Sequence, residues 1–377
     1  MTKKVLIILR YIPHYRTPFF ERLRSILAAE GIELELIGGQ GSTADHAKKD
    51  LANIPWVTSS RDIYLFGEKL VLQPCPRSAF SADLVIVEQA NKILLNYALQ
   101  FLRPFVRLRL AFWGHGFCHQ QDMRSLSNKF KSFIIKHVDW WFAYTSSVAE
   151  HVETQGFPRD RITIVQNTID TSSLSQMVSQ ASAEEISLVR KKYRLTQGKT
   201  GIFCGGMYKE KQLSFLIECT EELHKQDPEF SMIFIGSGVL AHIVEEAATK
   251  HQWIHYTGPQ FGLEKIKLIV AADFMLLPGG VGLGILDSFV LERPLITTDC
   301  LGHGPEIAYL QNSVNGVRTP FSMEPYTGAI ARLMLEPGWL QELQRGCRES
   351  GRRYTIDTMV ENFAQGVQQC LLKDRKR

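Results

Sequence analysis

Short apolar runs alternate with amphipathic stretches along this chain, and the alternation stops once and then restarts. In the first part the runs fall at 4–9, 33–37, 84–87, 111–113, 140–144 and 162–165. In the second they fall at 200–204, 231–235, 254–256, 274–277 and 294–297. Each run is short enough to be one buried strand, and the stretches between carry apolar residues at helical spacing, such as Phe20, Leu23, Ile26 and Leu27. Strands alternating with helices predict doubly wound, mostly parallel α/β sheets. Between 172 and 198 the pattern changes to Ser, Gln, Ala and charged residues, which predicts a linker and the first helix of a second domain. At 377 residues the chain exceeds one ordinary core. Two tandem domains are therefore expected, 1–175 and 176–357, followed by a last amphipathic helix within 358–377. Open α/β sheets bind ligands at the carboxyl ends of their strands, so a central cleft faced by both domains is the expected site.

Composition narrows the function classes. A net charge of +4 and a pI near 8.6 are too mild to argue for nucleic acid. The seven cysteines are scattered, odd in number and free of any C-x-x-C pair, which fits reduced thiols in a cytoplasmic protein better than disulfides or a zinc site. The first apolar run ends at Arg10 and is too short for a signal-peptide core. No run reaches the ~20 apolar residues of a membrane span. Any membrane contact is expected to be peripheral, at an inner face. Arg103, Arg107 and Arg109 among aromatic and aliphatic neighbours, with Lys129, Lys131 and Lys136 further on, form basic amphipathic segments suited to an anionic surface. A solvated helix face is the plainer alternative.

The densest motif spans 271–316. An apolar strand is stopped by Pro278, Gly279 and Gly280; Val281-Gly282-Leu283-Gly284 turns the chain; Ile285 to Phe289 has helical spacing; and a second strand follows. Such a turn leaves backbone N–H groups at a helix N-terminus, where they can hold a phosphate. Asp287 is placed about two turns into that helix, near the same pocket. Gly205-Gly206-Met207-Tyr208-Lys209-Glu210-Lys211 follows the first strand of the second domain, so Lys209 and Lys211 stand where a cation can meet a diphosphate. Solvated loop lysines are the alternative. His115, between Gly114 and Gly116 at a strand end of the first domain, is a candidate catalytic group that a substrate could approach closely. His14-Tyr15-Arg16 is the loop after the first strand, and Arg16 is a candidate for an acceptor phosphate. No D-x-D, Walker A, clean G-x-G-x-x-G or G-x-S-x-G motif occurs, which argues against a two-carboxylate metal site, a Walker NTPase, an NAD enzyme and a serine hydrolase.

These residues resemble the retaining, nucleotide-sugar-dependent glycosyltransferases of the GT-B fold, the group named for an E-x7-E motif and also called family 4 or group 1. The likeness covers most of the chain and is strongest from Gly205 to Gly316; Tyr11 to Glu21 also looks like bacterial polysaccharide-synthesis members. The resemblance implies two Rossmann-like domains facing a central cleft, with the last helix crossing back onto the first. It implies a donor site of Gly205, Gly206, Lys209, Lys211, Gly282, Leu283, Gly284, Asp287 and Glu306. Within it Lys211 and the 282–284 amides meet the diphosphate and Asp287 meets the ribose. It implies His115 near the transferred sugar and an acceptor site of His14, Tyr15, Arg16 and Arg124. A UDP- or GDP-sugar donor, a saccharide or lipid-linked acceptor, and no metal or other cofactor are the expected partners. Two positions depart from the pattern: Gly279 stands where the first acid of E-x7-E belongs, and Gly206 where an arginine does. A nucleotide-sugar epimerase of similar fold and a degenerate, non-catalytic assembly partner are the competing readings.

Overall fold

The structure, a computed structural model, describes residues 2–46, 50–116 and 134–374. Arg124, Lys129 and Lys131 lie outside them. The chain forms two compact units, Met1–Asp170 with Ile356–Arg377, and Thr171–Thr355.

The first unit holds β1 (Lys3–Leu9), β2 (Ile32–Gly39), β3 (Thr58–Ser60), β4 (Ile63–Leu65), β5 (Leu70–Leu72), β6 (Leu84–Glu88), β7 (Leu110–Gly114), β8 (Trp140–Ala143) and β9 (Ile162–Ile164). Among the described residues, seven of these form one sheet in the order β3-β2-β1-β6-β7-β8-β9, parallel throughout. Parallel strands are buried on both faces, which is why β8 and the buried parts of β1 and β6, Val5–Leu9 and Leu84–Val87, read as apolar runs. The strand order reverses beside β1, so a crevice opens where the loops after β1 and β6 diverge. β4 and β5, each only three apolar residues long, form a small antiparallel hairpin. The helix Ile356–Leu372 belongs to this unit and packs on the helix Thr17–Ala29 and on β6, β8 and β9. Its Phe363 stacks on Phe142, with ring centroids 4.3 Å apart, and meets Phe19 and Trp113 edge-on. A Cβ at Gly366 would lie 2.5 Å from the Thr163 hydroxyl, so only glycine lets the helix approach this closely.

The basic segment after the third apolar run is not one exposed face. Helix is confined to Leu94–Leu102, and Arg103 turns inward. Its Nε donates to Asp139 Oδ2 at 3.0 Å, its Nη2 to Oδ1, and Asp139 also accepts the Leu110 N–H. Arg109 donates to the Cys370 carbonyl at 2.6 Å. Arg107 stays exposed, beside Phe101 and Phe105, which are more than seven-tenths exposed. Removing one member of a buried pair strands the other charge. Asp139→Ala is thus expected to cost about 3–5 kcal/mol of stability, read as a lowered denaturant midpoint; an unchanged midpoint would show that the pair is immaterial.

The second unit holds β10 (Thr200–Cys204), β11 (Ser231–Ile235), β12 (Ile254–Tyr256), β13 (Phe274–Leu276), β14 (Leu295–Thr298) and β15 (Gly316–Thr319). They form a parallel sheet in the order β12-β11-β10-β13-β14-β15, with its reversal between β10 and β13. The stretch read as a linker and first helix is two helices, Thr171–Gln180 and Ala183–Tyr193. Ser182 and Glu185 close a capping box at the start of the latter. β15 lies in a polar segment that carried no strand signal. The loops after β10 and β13 meet at the carboxyl edge where the order reverses.

Candidate functional site

In the second unit, three loops at the carboxyl ends of β11, β10 and β13 are laced together through backbone. The Met207 N–H donates to the Ser237 carbonyl at 2.8 Å and the Leu240 N–H to Met207 at 3.0 Å. The Gly280 N–H donates to the Glu210 carbonyl at 2.7 Å. Such close approach dictates glycine. A Cβ at Gly236 would lie 1.9 Å from the Gly205 carbonyl oxygen, and one at Gly279 would lie 2.2 Å from that of Glu210 and 2.5 Å from the Lys211 carbonyl carbon. At Gly206 a Cβ would collide with the Tyr208 ring. The two departures from the E-x7-E pattern are therefore places where the backbone or an aromatic ring fills the room a side chain would need.

Lys209–Lys211 form one 3₁₀ turn. The Lys209 side chain is exposed, and its ammonium has no partner among the described residues. Lys211 is turned in and donates to the Gly280 carbonyl. Burial lowers its pKa, with Glu210 and Cys300 opposing. The loop it reaches is braced from the other side. The Val281 N–H donates to His303 Nδ1 at 3.0 Å, and His303 Nε2 sits 2.8 Å from the Thr298 carbonyl, which fixes the proton on Nε2. The Gly304 N–H donates to Val281 at 2.6 Å. Glu306 is buried under this loop, its Oε2 2.7 Å from the Cβ position of Gly304. Between these braced residues the amides of Gly282, Leu283 and Gly284 have no hydrogen-bond partner among the described residues, whereas those of Ile285 and Leu286 turn back to Gly282 and Leu283.

The helix that follows starts at Gly284 and ends at Val290. Asp287 therefore lies in its first turn, not two turns in, because the glycine turn winds directly into the helix. Asp287 is buried and paired with Lys265, Nζ to Oδ2 2.8 Å. Lys265 sits in the first turn of the helix Gly262–Ala271. Burial works against its charge, but the Asp287 carboxylate outweighs that and its pKa is raised. Sequence reading missed Lys265, which stands in no motif and is brought to the loop by the sheet order, and His303, which lies within 271–316 but was given no role there. Beneath the pair, burial pushes the Cys204 thiol up to about 12, which leaves it protonated.

The first unit carries a separate pocket of about 280 Å³ at its own order reversal. Tyr15, Arg16, His115 and Tyr144 line it with Arg10 and Glu88. His115 is exposed, its ring 4.5 Å from that of Tyr144. The Gly116 N–H donates to Gln89 Oε1 at 3.2 Å. His14 is exposed next to Tyr15 and is not among the lining residues. Arg16 is buried. Its guanidinium donates to Asn167 Oδ1, touches Met359 Sδ, and lies 5.3 to 5.8 Å from the centroids of Tyr15, Trp113 and Tyr144. Arg10 pairs with Asp45 and faces Glu88 at 3.9 Å. Burial alone would raise the Asp45 pKa; hydrogen bonds from Ser42 and Arg10 pull it well below the carboxylate range. Among the described residues no group of three or more His, Cys, Asp or Glu side chains is arranged to hold a metal ion.

Residues 198–336 match the family described as Glycosyl transferases group 1. No curated protein matches the chain. Among solved structures the chain is similar to a glycosyltransferase from Rickettsia africae, at 14% identity and a TM-score of 0.72 over 99% of this chain and 100% of that one. It is similar to Anabaena Alr3699/HepE in complex with UDP, at 13% identity and a TM-score of 0.68 over 97% and 99%. It is also similar to the lipopolysaccharide outer core galactosyltransferase WaaB, at 13% identity and a TM-score of 0.64 over 97% and 99%. At these identities the likeness is one of fold: the two parallel α/β sheets, of seven and six strands, match those of GT-B glycosyltransferase structures.

Proposed function

We propose that this protein, whose residues 198–336 match the family described as Glycosyl transferases group 1, transfers a sugar, with retention, from a nucleotide diphosphate sugar to a saccharide or lipid-linked saccharide. The observation that carries this reading is the row of three unpartnered amides, Gly282 to Gly284, two residues from the carbonyl that Lys211 grips. A diphosphate leaving group needs donors already in place where its charge develops, and such preorganised donors are each worth about 10²–10³ in rate. Lys211 and the amides supply them, with Lys209 as a further cation at the rim. Gly205 and Gly206 let the donor approach the backbone, Asp287 takes the ribose hydroxyls, and Glu306 supports the turn. Similarity to HepE, solved with UDP and with UDP-glucose, favours a uridine donor.

His115 is the proposed contact of the transferred sugar, and Tyr15 and Arg16, which line the first unit's pocket, are the proposed acceptor residues together with His14 and Arg124. Arg16 is already tied to Asn167, so its part is to hold Tyr15, Trp113 and Tyr144 in position as much as to meet a phosphate. The acceptor is a precursor of a bacterial surface polysaccharide (O-antigen, capsule or exopolysaccharide), handled in the cytoplasm. Exposed Phe101, Phe105 and Arg107 give peripheral contact with an anionic membrane. No helix among the described residues is long and apolar enough to cross one.

A thermal-shift screen of UDP, GDP, ADP and their sugars tests the reading, since a ligand that binds only the native state raises the melting temperature with its concentration. One nucleotide series is expected to stabilise the protein, and its sugar to be consumed only when acceptor is present. Turnover without acceptor would favour an epimerase, and binding without any turnover a non-catalytic partner. Protein-borne charges make the reaction metal-independent, so EDTA is expected to leave the rate unchanged; its abolition would refute that part.

A further inference from the structure

The Lys265–Asp287 pair has a feature that a plain structural ion pair lacks. Asp287 Oδ1 is buried and has no hydrogen-bond partner among the described residues, while Oδ2 is taken by Lys265. The pair is also lopsided toward solvent: the Lys265 side chain is 24% exposed and that of Asp287 11%. A ligand arriving at the first turn of the helix Gly284–Val290 therefore meets the ammonium first and the carboxylate behind it. An ammonium has three hydrogens, of which one is committed to Oδ2. A carboxylate beside it offers only acceptors.

That combination, fixed donors next to an unsatisfied acceptor, suits a vicinal diol, whose hydroxyls both accept and donate. A phosphate would meet Asp287 as a repulsive charge. Resting on the nucleotide-sugar reading above, we propose that Lys265 is a donor-binding residue that reads the ribose diol together with Asp287. Its ammonium donates to a hydroxyl oxygen, and the carboxylate it holds in place accepts the hydroxyl protons. Lys265 also keeps Asp287 in one rotamer, so that the acid, one methylene shorter than glutamate, is presented from a fixed position.

The experiment compares UDP, GDP and ADP with the 2′,3′-dideoxy form of whichever binds, by calorimetry on wild-type protein, Lys265→Met, and the double variant Lys265→Met with Asp287→Leu. The double variant carries no stranded charge, so it remains a test if the single variant fails to fold. Wild type is expected to prefer the ribonucleotide. Both variants are expected to bind it about tenfold or more weakly, the scale of a hydrogen bond from a charged group, with little change for the dideoxy form. Equal loss for both forms, or no loss for either, would overturn the proposal and leave the donor reading standing. If wild type binds none of the three nucleotides, the donor reading itself falls and this inference with it.

Discussion

Lys211→Ala protein is expected to lose transfer by about 10²–10³-fold while its second unit keeps its fold. Among the described residues the side chain makes one hydrogen bond, to the Gly280 carbonyl, and the loop stays pinned by the Gly280 N–H on Glu210. Burial already disfavours the Lys211 ammonium, so its removal also relieves a desolvation penalty. A melting curve close to wild type, with donor turnover near background, is the expected pair of results. Normal turnover would remove Lys211 from the donor site. The lowered pKa adds a pH signature. Between that lowered value and the ordinary lysine value the unfolded chain binds more protons, so as pH rises through this window the Lys211 contribution to stability improves. The charge needed for the diphosphate disappears over the same window. Activity is therefore expected to fall at alkaline pH before the protein melts. Lys265 has the opposite sign: its raised pKa contributes stability that is present below the ordinary lysine value and lost as pH rises through the raised one.

Gly279→Glu, which restores the first acid of the E-x7-E pattern, is expected to destroy the site rather than repair it. The new Cβ would sit 2.2 Å from one backbone atom and 2.6 Å from the Lys211 Cα, and backbone cannot swing aside as a side-chain end can. Overpacking of this kind costs about 1–3 kcal/mol and at times more. At about 2–4 °C per kcal/mol for a domain of this size, the melting temperature should drop by several degrees. The displaced turn is Lys209–Lys211, so nucleotide binding should fall in the same variant. Gly282→Ala is the control for stability, because its Cβ would meet nothing within 4 Å. A Gly279→Glu protein as stable as wild type, with faster transfer, would show that the position is an acid site left vacant.

The two sheets were legible because buried parallel strands carry continuous apolar runs, as in Val5–Leu9 of β1 and Met232–Ile235 of β11. β3 and β15 escaped notice because each is three or four residues long and set in polar sequence, and β4 because three residues are too few to show a period. The loops that hold the candidate site could be located from glycine and lysine placement, but their wiring could not. Which carbonyl presses on Gly279, and that Lys265 reaches Asp287 from 22 positions away, follow from strand order rather than from any local pattern. Arg16 shows the same limit. The loop arginine beside Tyr15 reads as a candidate for an acceptor phosphate, yet Trp113, Tyr144 and Asn167 come from distant strand ends to enclose it.

The placement of the helix Ile356–Leu372 sets an order on biosynthesis. The second unit is one continuous segment, complete once Thr355 has been made. The first unit, although begun earlier, lacks Met359, Phe363 and Val367 of its core until the last helix emerges. Domains tend to fold from the N-terminus as synthesis proceeds. Here the nascent first unit must wait, with Phe19 and Trp113 uncovered, while the whole of the second is translated. It is then the half of the molecule most in need of a chaperone, and the half that loss of residues 356–372 would leave unable to close.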